Sequence, residues 1–337
     1  MKKALKFVLM AVFAFGSLNT FGLQAVSSKS EDSKQYSIMC IGDSITDGYG
    51  ISGSYRKFLY NELTKKGYSI DMTGSKSSWG VSKYADSETG EEFEYDDDNT
   101  GYSGYSIKSY SGRNGIYETL VETNCLSQNP DVVILQIGTN NIIDNHDSSE
   151  NARDIYELMT YILDNIPEKS MLFVTSIPDL DPNRSEVYDW FGNYRHSADW
   201  QTQYSDDEVE EAVAEAVRVY NNELKTQIKE RDDSRLVFAD INHVITDVKT
   251  QLADGVHPNN TGYSLMGKYW AEKIDCYLHP VILGLYSPQE LEYVSDFLLN
   301  NITGNELDYP ERLDANKDGV VDIFDIIFLR KRLTPNK

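Results

Sequence analysis

Ser44 and Asn140 each stand just beyond an apolar segment and carry side chains suited to chemistry in which an oxyanion develops. Ser44 lies in a turn between an apolar run and a following helix, so its hydroxyl can face a cleft near helix amides that stabilise such a charge. The Asn140 carboxamide can donate a hydrogen bond to the same charge. Taken alone, Ser44 can also be a helix cap and Asn140 can close an Asx-turn, and the Gly-x-Ser-x-Gly elbow of lipases is absent.

A second pair, Asp254 and His257, stands in a Gly/Pro-containing loop. The carboxylate can accept a hydrogen bond from the imidazole, which fixes the tautomer and stabilises the imidazolium formed during catalysis. Asp-x-x-His strings are also common on protein surfaces. A glycine-rich turn at 99–105, which includes Gly104, can bring a backbone N–H close to a ligand. The remaining histidines lack a comparable setting: His146, His196, His243 and His279.

The elements that must position these residues alternate along the chain. Apolar or β-branched segments bounded by turn residues predict strands at 37–41, 69–73, 131–137, 171–177 and 235–239. Amphipathic stretches predict helices near 54–66, 114–126, 150–165, 205–230 and 261–277. Ser205 is the predicted N-cap of the fourth helix. This alternation predicts one α/β domain with a parallel sheet. Because such sheets place their chemistry at the carboxyl ends of the strands, we expect Ser44 and Asn140 at one edge.

Together these motifs resemble those of the SGNH (GDSL-type) hydrolase superfamily in four ordered blocks. The blocks are Gly42-Asp43-Ser44, Ser103-Gly104, Gly138-Thr139-Asn140 and Asp254-x-x-His257-Pro258. The resemblance covers residues 36–278 and implies a flavodoxin-like three-layer sandwich with a parallel sheet.

The resemblance also implies the role of each residue. Ser44 would be the nucleophile, His257 the general base and then acid, and Asp254 the residue that orients His257. The oxyanion hole would consist of the Ser44 and Gly104 backbone N–H groups and the Asn140 side chain. The chemistry would need no metal or cofactor. Asn141 departs from the pattern, because the third block usually ends in Asn-Asp, and we expect this to affect the rate more than the chemistry.

Three longer strings resemble carbohydrate esterase family 3: 39–50, 68–75 and 101–107. Its members are similar to acetylxylan esterases, so the resemblance implies removal of O-acetyl groups from an acetylated plant polysaccharide. Two segments are longer than the family pattern: the acidic 82–99 and the aromatic-rich 180–204. The second contains three large aromatic residues: Trp190, Tyr194 and Trp200. These segments are either cleft walls on which sugars stack or ordinary surface insertions.

The composition limits the possible partners. The 337 residues include 54 acidic and 31 basic side chains, which gives a net charge of −23 and a pI near 4.5. This charge argues against nucleic acid and anionic membrane surfaces, since each phosphate contact needs a basic side chain. A hydrophobic content of 40% supplies a core and excludes wholesale disorder. The cysteines Cys40, Cys125 and Cys276 are widely spaced and odd in number, so no disulfide framework is predicted.

The first 25 residues predict a secretory signal peptide, and residues 26–35 a polar linker. A basic start precedes the apolar stretch 7–15, which is shorter than the roughly 20 residues of a membrane-spanning helix. Small residues near Ala25 suit cleavage. Removal would take away three Lys and no acidic residue, changing the charge from −23 to −26.

A loop at 314–325 carries oxygen-bearing side chains at positions 1, 3, 5, 9 and 12: Asp314, Asn316, Asp318, Asp322 and Asp325. Gly319 stands at position 6, where the chain must turn, and the Val320 carbonyl serves position 7. The pattern predicts a structural Ca²⁺ site. With the apolar helix 326–333, it resembles the repeat of dockerins, so residues 281–335 are interpreted as an all-α dockerin-like module whose partner is a cohesin on a scaffoldin.

Dockerins usually carry two such repeats, and the first one here is predicted to be degenerate. Residues 290–298 share the apolar pattern of 325–333, and Gly284 keeps position 6 of the preceding loop. Its ligand positions hold non-acidic residues: His279, Val281 and Leu283. In the intact loop, Ile323 and Phe324 replace the Ser-Thr pair of many clostridial dockerins. They either select a cohesin of different, ruminococcal-type specificity or pack between the two helices.

The sequence therefore predicts a secreted, extracellular, cellulosome-associated serine esterase that deacetylates xylan or a related plant polysaccharide. The alternative substrates are pectin acetyl groups, oligosaccharides, lipids and thioesters. A non-catalytic carbohydrate-binding component is the alternative from another class.

Overall fold

The computed structural model of the chain describes residues 34–77, 81–86, 89–196 and 204–278. The predicted signal peptide (1–25), most of the linker (26–35) and the dockerin-like module (281–335) with its calcium loop lie outside these ranges.

A parallel sheet forms the centre of the described structure. The strands are β1 (Gln35–Gly42), β2 (Ser69–Thr73), β3 (Val81–Ala85), β4 (Glu92–Asp96), β5 (Thr100–Gly101), β6 (Val132–Gln136), β7 (Met171–Thr175) and β8 (Leu236–Ala239). The sheet order is β2-β1-β6-β7-β8, with the short β5 paired to the end of β1, and all of these pairs are parallel. Counting the five longer strands along the chain, this is the 2-1-3-4-5 order of flavodoxin-like folds.

Helices cover both faces of the sheet. They are α1 (Ser44–Asp47), α2 (Ser54–Lys65), α3 (Ile116–Thr123), α4 (Thr139–Ile143), α5 (Ser148–Asn165), α6 (Gly192–His196), α7 (Asp206–Arg231), α8 (Val248–Gln251) and α9 (Asn260–Leu278). The buried side chains of α3, α5 and α7 lie on one face, and those of α2 and α9 lie on the other. The predicted α/β architecture with a parallel sheet is confirmed.

Alternating side chains of the strands build the two halves of the core. In β6, Val133 and Leu135 belong to the cluster under α5 and α7, whereas Val132 and Ile134 belong to the cluster under α2 and α9. All four are fully buried. Each contributes about 1.5–3 kcal/mol through its burial. This explains why the strands read as continuous apolar runs rather than as alternating patterns.

The predicted strands and helices correspond to observed ones, with ends that shift by up to three residues. The largest shift concerns the helix predicted at 114–126. Gly115 has extended backbone (φ −110°, ψ 147°), so α3 begins at Ile116, and Asn124 ends it in the left-handed conformation (φ 50°). Ser205 caps α7 as predicted, within a capping box that includes Glu208.

The acidic insertion 82–99 contains most of a hairpin that was not predicted from the sequence. β3 and β4 pair antiparallel with Val81 opposite Asp96, and their aromatic rings pack on α2. The Phe58 ring centroid lies 5.3 Å from that of Tyr84 and 6.3 Å from that of Phe93. This segment is therefore mainly a surface hairpin, which supports the interpretation of ordinary packing for most of its length.

Candidate active site

Ser44 lies at the carboxyl end of β1, on the first turn of α1. β1 ends at Gly42, and the Asp43 side chain accepts a hydrogen bond from the Ile45 N–H at 3.0 Å, which caps α1. Burial raises the pKa of the Asp43 carboxyl to about 6, against the opposing effect of this hydrogen bond. The N–H of Ser44 is in the first helical turn, where the backbone donors have no intrahelical acceptor. The Ser44 N–H can therefore donate a hydrogen bond to a negatively charged oxygen.

His257 contacts both Ser44 and Asp254. The distance between His257 Nε2 and Ser44 Oγ is 2.8 Å, and that between His257 Nδ1 and Asp254 Oδ2 is 2.7 Å. Ser44 and His257 are 5% and 4% exposed, so this chain of hydrogen bonds is shielded from bulk water. The structure thus brings together three residues that are 213 and 3 positions apart in sequence.

The second carboxylate oxygen of Asp254 fixes the loop that carries His257. Asp254 Oδ1 accepts from the backbone N–H groups of Val256 (3.0 Å) and His257 (2.8 Å). Burial raises the pKa of Asp254, but the hydrogen bonds from His257 and Val256 outweigh it and leave the pKa below its ordinary value. Asp254 therefore stays ionised at neutral pH and can stabilise an imidazolium at His257.

Another Asp-x-x-His pair shows what distinguishes this one. Asp240 Oδ2 also lies 2.7 Å from His243 Nδ1, but the His243 side chain is 82% exposed. The nearby Ser176 hydroxyl is 2.9 Å from Asp240 Oδ1, so it bonds the carboxylate rather than the imidazole. Spacing alone does not separate the two pairs, whereas contact with a serine hydroxyl does.

Asn140 lies on the first turn of α4, after the end of β6. The turn depends on Gly138, whose φ of +120° favours glycine and whose added Cβ would come within 2.5 Å of the Tyr220 ring. The Asn140 Nδ2 group donates to the Tyr105 carbonyl at 2.8 Å, and its second hydrogen remains for another acceptor. Asn140 thus has the donor that the sequence assigned to it.

Gly104 adopts a φ of +82° in the loop after β5. This loop is tied to the Ser44 segment, since the Tyr102 N–H donates to the Gly42 carbonyl at 2.9 Å. The Ser103 hydroxyl donates to Asp47 Oδ2 at 2.7 Å. Within the described residues, the Gly104 N–H donates no hydrogen bond to another backbone group. The Gly104 loop and Asn140 are further connected through Arg113, which the sequence did not indicate.

Asn141, which departs from the family pattern, lies in a satisfied buried network. Its Oδ1 accepts from the Ile107 N–H at 3.2 Å, and its Nδ2 donates to Asn151 Oδ1 at 2.7 Å. His146 Nδ1 lies 2.9 Å from the same Asn151 oxygen. The Asn141 carboxamide therefore keeps the acceptor oxygen that a carboxylate would offer, and its NH₂ group is paired with Asn151. His146 belongs to the same buried network, which its sequence context did not indicate.

Aromatic side chains flank the imidazole of His257. The Tyr49 ring centroid lies 4.6 Å from that of His257, and the Trp190 centroid lies 5.8 Å from it at 80°. Both rings are partly open to solvent, at 50% and 40% exposure. Trp190 comes from the aromatic-rich segment 180–204, whose interpretation as a cleft wall it supports.

Tyr194 is a different case, because it is only 3% exposed and packs with Phe191. For Tyr194, this burial favours ordinary packing over a stacking surface. Tyr194 lies on α6, whereas Trp190 lies in the turn before it, and the Tyr194 ring packs with Phe191 in the buried cluster under α5 and α7. Trp200 lies outside the described residues.

An open cleft of about 580 Å³ lies beside α1 and the Gly104 loop. Its lining is largely polar and includes Asp47, Tyr49, Lys76, Asn99 and Ser103. Lys76 Nζ lies 2.6 Å from Asp47 Oδ1. Partial burial raises the pKa of Asp47, but the contacts with Lys76 and with the Ser103 hydroxyl outweigh burial and lower this pKa below its ordinary value. The cleft offers hydrogen-bonding groups next to an aromatic ring.

Within 34–77, 81–86, 89–196 and 204–278, no group of three or more His, Cys, Asp or Glu side chains is arranged to hold a metal ion. In the same ranges, none of the helices combines the length and apolar character needed to cross a bilayer. The side chains of Cys40, Cys125 and Cys276 are buried, and none of them forms a disulfide in the described part of the chain.

The parallel fold and this arrangement of Ser44, His257, Asp254 and Asn140 are those of a GDSL/SGNH hydrolase. The model of the GDSL-like lipase/acylhydrolase family matches residues 38–270, and the chain belongs to this family.

A multidomain esterase of Ruminococcus flavefaciens is 34% identical to this chain over 304 residues, which cover 88% of this chain and 34% of the relative. The chain therefore spans about one third of the length of that curated relative.

A solved structure of a carbohydrate esterase shares the fold. A carbohydrate esterase family 3 protein from Talaromyces cellulolyticus has a TM-score of 0.50 at 17% identity, covering 71% of this chain and 96% of its own. A catalytic variant of an acetylxylan esterase from Geobacillus stearothermophilus has a TM-score of 0.45 at 14% identity, covering 70% and 93%. Identities this low establish similarity of fold alone.

Proposed function

We propose that the chain is a secreted serine esterase that removes O-acetyl groups from xylan or a related plant polysaccharide. The observation that carries the proposal is the continuous hydrogen-bonded series Asp254–His257–Ser44, with hydroxyl, imidazole and carboxylate at 2.8 and 2.7 Å. The loop of Gly104 is hydrogen-bonded to the segment before Ser44, and Asn140 follows β6, the strand next to β1. Membership of a family of lipases and acylhydrolases supports ester hydrolysis as the reaction.

In the acylation step, Ser44 Oγ attacks the acetyl carbonyl carbon while His257 Nε2 takes its proton. The carbonyl oxygen becomes an oxyanion, which the N–H groups of Ser44 and Gly104 and the Asn140 side chain stabilise. The bond between the carbonyl carbon and the sugar oxygen then breaks. The sugar oxygen leaves with the proton from His257, and the acetyl group remains on Ser44.

Deacylation repeats the sequence with water as the nucleophile. His257 Nε2 takes a proton from a water molecule as that oxygen attacks the acetyl carbon. The second tetrahedral intermediate collapses, and Ser44 Oγ leaves with the proton from His257 while acetic acid departs. Throughout, Asp254 stays ionised and holds His257 in the tautomer that presents Nε2 to the substrate.

The surroundings of the site favour a saccharide ester. Tyr49 and Trp190 offer half-exposed aromatic faces next to His257, and apolar ring faces suit the C–H faces of a pyranose. The adjoining cleft is lined mainly by groups that donate and accept hydrogen bonds, which suits sugar hydroxyls better than an acyl chain. The similarity to a family 3 carbohydrate esterase supports this substrate class.

Trp190→Ala is expected to separate polysaccharide from small-ester activity. We expect kcat/KM on acetylated xylan to fall about tenfold, because the variant loses a stacking interaction with the sugar worth about 1.4 kcal/mol. Hydrolysis of a small aryl acetate should stay within about twofold. Acetate release and aryl acetate hydrolysis by the same preparations provide the measurement.

Tyr188→Ala is the matched control, because Tyr188 is equally exposed in the same turn but packs against the Arg195 guanidinium at 3.6 Å instead of His257. It should leave both activities nearly unchanged. Equal losses on both substrates for Trp190→Ala would contradict a role in binding the polysaccharide.

For the remaining regions we propose the organisation inferred from the sequence. Residues 1–25 would direct secretion, 26–35 would be a linker, 36–278 the esterase domain and 281–335 a dockerin-like module. The loop 314–325 would hold a structural Ca²⁺ through the oxygen ligands Asp314, Asn316, Asp318, Val320, Asp322 and Asp325. The module would attach the enzyme to a cohesin of a scaffoldin outside the cell.

Calcium removal is expected to abolish attachment without affecting catalysis. We expect the full chain to bind a cohesin in the presence of Ca²⁺ and to release it when a chelator is added, since four carboxylates repel one another in an empty loop. Asp318→Ala should abolish binding in either condition, while hydrolysis of an aryl acetate continues. Binding titrations against a panel of cohesins measure this. Calcium-independent binding, or failure to bind every cohesin, would contradict the assignment.

A further inference from the structure

Arg113 contacts two of the residues assigned to the oxyanion hole. It ends a tight turn that begins at Tyr110, in the loop between β5 and α3. Its Nη1 donates to the Gly104 carbonyl oxygen at 3.1 Å and to Asn140 Oδ1 at 3.2 Å. Its Nε and Nη2 donate to the two oxygens of Asp144 at 2.6 Å each. One guanidinium therefore joins the loop, the carboxamide and a carboxylate.

The Asn140 carboxamide has only one orientation that satisfies both of its neighbours. A guanidinium has no acceptor, so the atom facing Arg113 must be the oxygen. A carbonyl has no donor, so the atom facing Tyr105 O must be the nitrogen, which lies 2.8 Å from it. Without Arg113, the oxygen loses the partner that the structure gives it. Only the Tyr105 carbonyl then opposes a flip of the carboxamide, which would present an acceptor to the oxyanion.

The Gly104 peptide is held from both sides. Ser103 donates to Asp47 through its hydroxyl (2.7 Å) and its backbone N–H (3.3 Å). On the other side, the Gly104 carbonyl accepts from Arg113. Because glycine has no Cβ, its backbone rotates more freely than that of other residues, and these two anchors restrict it. Arg113 thus limits the direction in which the Gly104 N–H points.

Asp144 connects Arg113 to the helix that carries Asn140. It caps the C-terminus of α4, one turn after Asn140, and also accepts from the Tyr110 hydroxyl at 2.9 Å. The hydrogen bond with Asp144 raises the pKa of Arg113 despite partial burial, so the guanidinium remains charged. Since Asp144 neutralises that charge at close range, Arg113 acts on the oxyanion mainly through geometry.

We propose that Arg113, anchored by Asp144, is a positioning residue that aligns the Asn140 and Gly104 donors with the transition-state oxyanion. The inference rests on the proposed esterase function and adds a residue that none of the four sequence blocks contains. A mispositioned donor costs transition-state stabilisation but little substrate affinity. Loss of Arg113 therefore lowers kcat and leaves KM nearly unchanged.

A double-mutant cycle with Asn140 tests the inference on hydrolysis of a small aryl acetate. Arg113→Ala is expected to lower kcat by about 30–100-fold and Asn140→Ala by about 10²–10³-fold, each with KM within about threefold. In the Asn140→Ala background, Arg113→Ala should lower kcat by less than about fivefold, because most of its effect passes through the deleted carboxamide. A purely structural contribution would instead produce the same loss in both backgrounds.

Arg235→Ala is the matched control. Arg235 also pairs with both oxygens of one carboxylate, Asp233, and with one backbone carbonyl, Leu163 O, but at the opposite end of the sheet. The Arg235→Ala substitution should leave kcat within about twofold of the value for the unsubstituted protein. If Arg113→Ala does not fold, Arg113→Lys replaces it, since lysine keeps the charge but cannot bridge the same acceptors.

The outcomes distinguish the two levels of the proposal. An unaltered chain without esterase activity contradicts the proposed function itself. An active chain in which Arg113→Ala and Asn140→Ala have independent, multiplicative effects overturns only the positioning role. An Arg113→Ala loss that appears in KM rather than kcat overturns it as well.

Discussion

Ser44→Ala is expected to lower kcat for hydrolysis of an acetyl ester by about 10⁵–10⁶-fold, with the fold unchanged. Alanine removes the oxygen that attacks the acetyl carbonyl, and no acetyl-enzyme can form. The remaining donors of Gly104 and Asn140 can still polarise the carbonyl for attack by water, so a residual rate above buffer is expected. Initial rates with an aryl acetate, together with a thermal unfolding curve for each preparation, measure the effect.

Ser176→Ala provides the matched control for this substitution. Ser176 is also a fully buried serine after the carboxyl end of a strand of the same sheet, and its hydroxyl also belongs to a cluster with an aspartate and a histidine. Its hydroxyl bonds Asp240 rather than an imidazole, so its removal should leave the rate within about twofold. Activity retained in the folded Ser44→Ala protein would show that Ser44 is not the nucleophile.

Asp254→Asn has the second largest expected effect, a loss of about 10³–10⁴-fold in kcat. The carboxamide can occupy the same space, but its NH₂ group can meet His257 Nδ1 only if that nitrogen is unprotonated. The proton would then lie on Nε2, which could no longer accept the hydrogen of Ser44. The variant would also lose the charge that stabilises the imidazolium. Steady-state rates with the same aryl acetate measure the effect.

The surface pair Asp240 and His243 offers the control, since it has the same sequence spacing and the same 2.7 Å contact. Asp240→Asn should change the rate by no more than about twofold. If Asp254→Asn were equally mild, the orientation of His257 would have to come from other contacts, such as those with Tyr49 and Trp190.

The elements that carry the site were predictable because each has a local sequence signal. β6 and β7 are apolar except at their last residues, Gln136 and Thr175, which is typical of strands covered on both faces. Ser205 precedes acidic residues that suit a helix start. The hairpin β3–β4 was not predicted, although charged and aromatic residues alternate in β4 as they do in a half-buried strand. Its stability comes from contacts of Tyr84 and Phe93 with α2, which are distant in sequence.

The candidate site shows the same division between local motifs and distant contacts. Ser44, Asn140 and His257 stand in short motifs, so their assignment needed no tertiary information. Arg113 and Asp144 stand in no recognisable motif. Their proposed role depends on hydrogen bonds of the Arg113 guanidinium to residues that are 9 to 31 positions away in sequence. Asp144 follows Asn140 by four residues, a spacing that places two side chains on the same side of a helix. This spacing is the local signal that connects Asp144 with Asn140. Trp190 and Tyr194 stand four residues apart, yet only Trp190 is exposed, a difference set by packing of α6.

The central claim is that this chain releases acetate from a plant polysaccharide through Ser44. The most direct measurement is acetate release by the full chain from acetylated xylan, acetylated mannan and acetylated pectin, with Ser44→Ala as the reference. We expect the fastest release from acetylated xylan, and release slower by about 10⁵–10⁶-fold from Ser44→Ala. Acetate release from none of the three above the rate of Ser44→Ala would contradict the account, and release confined to pectin would exclude xylan as the substrate.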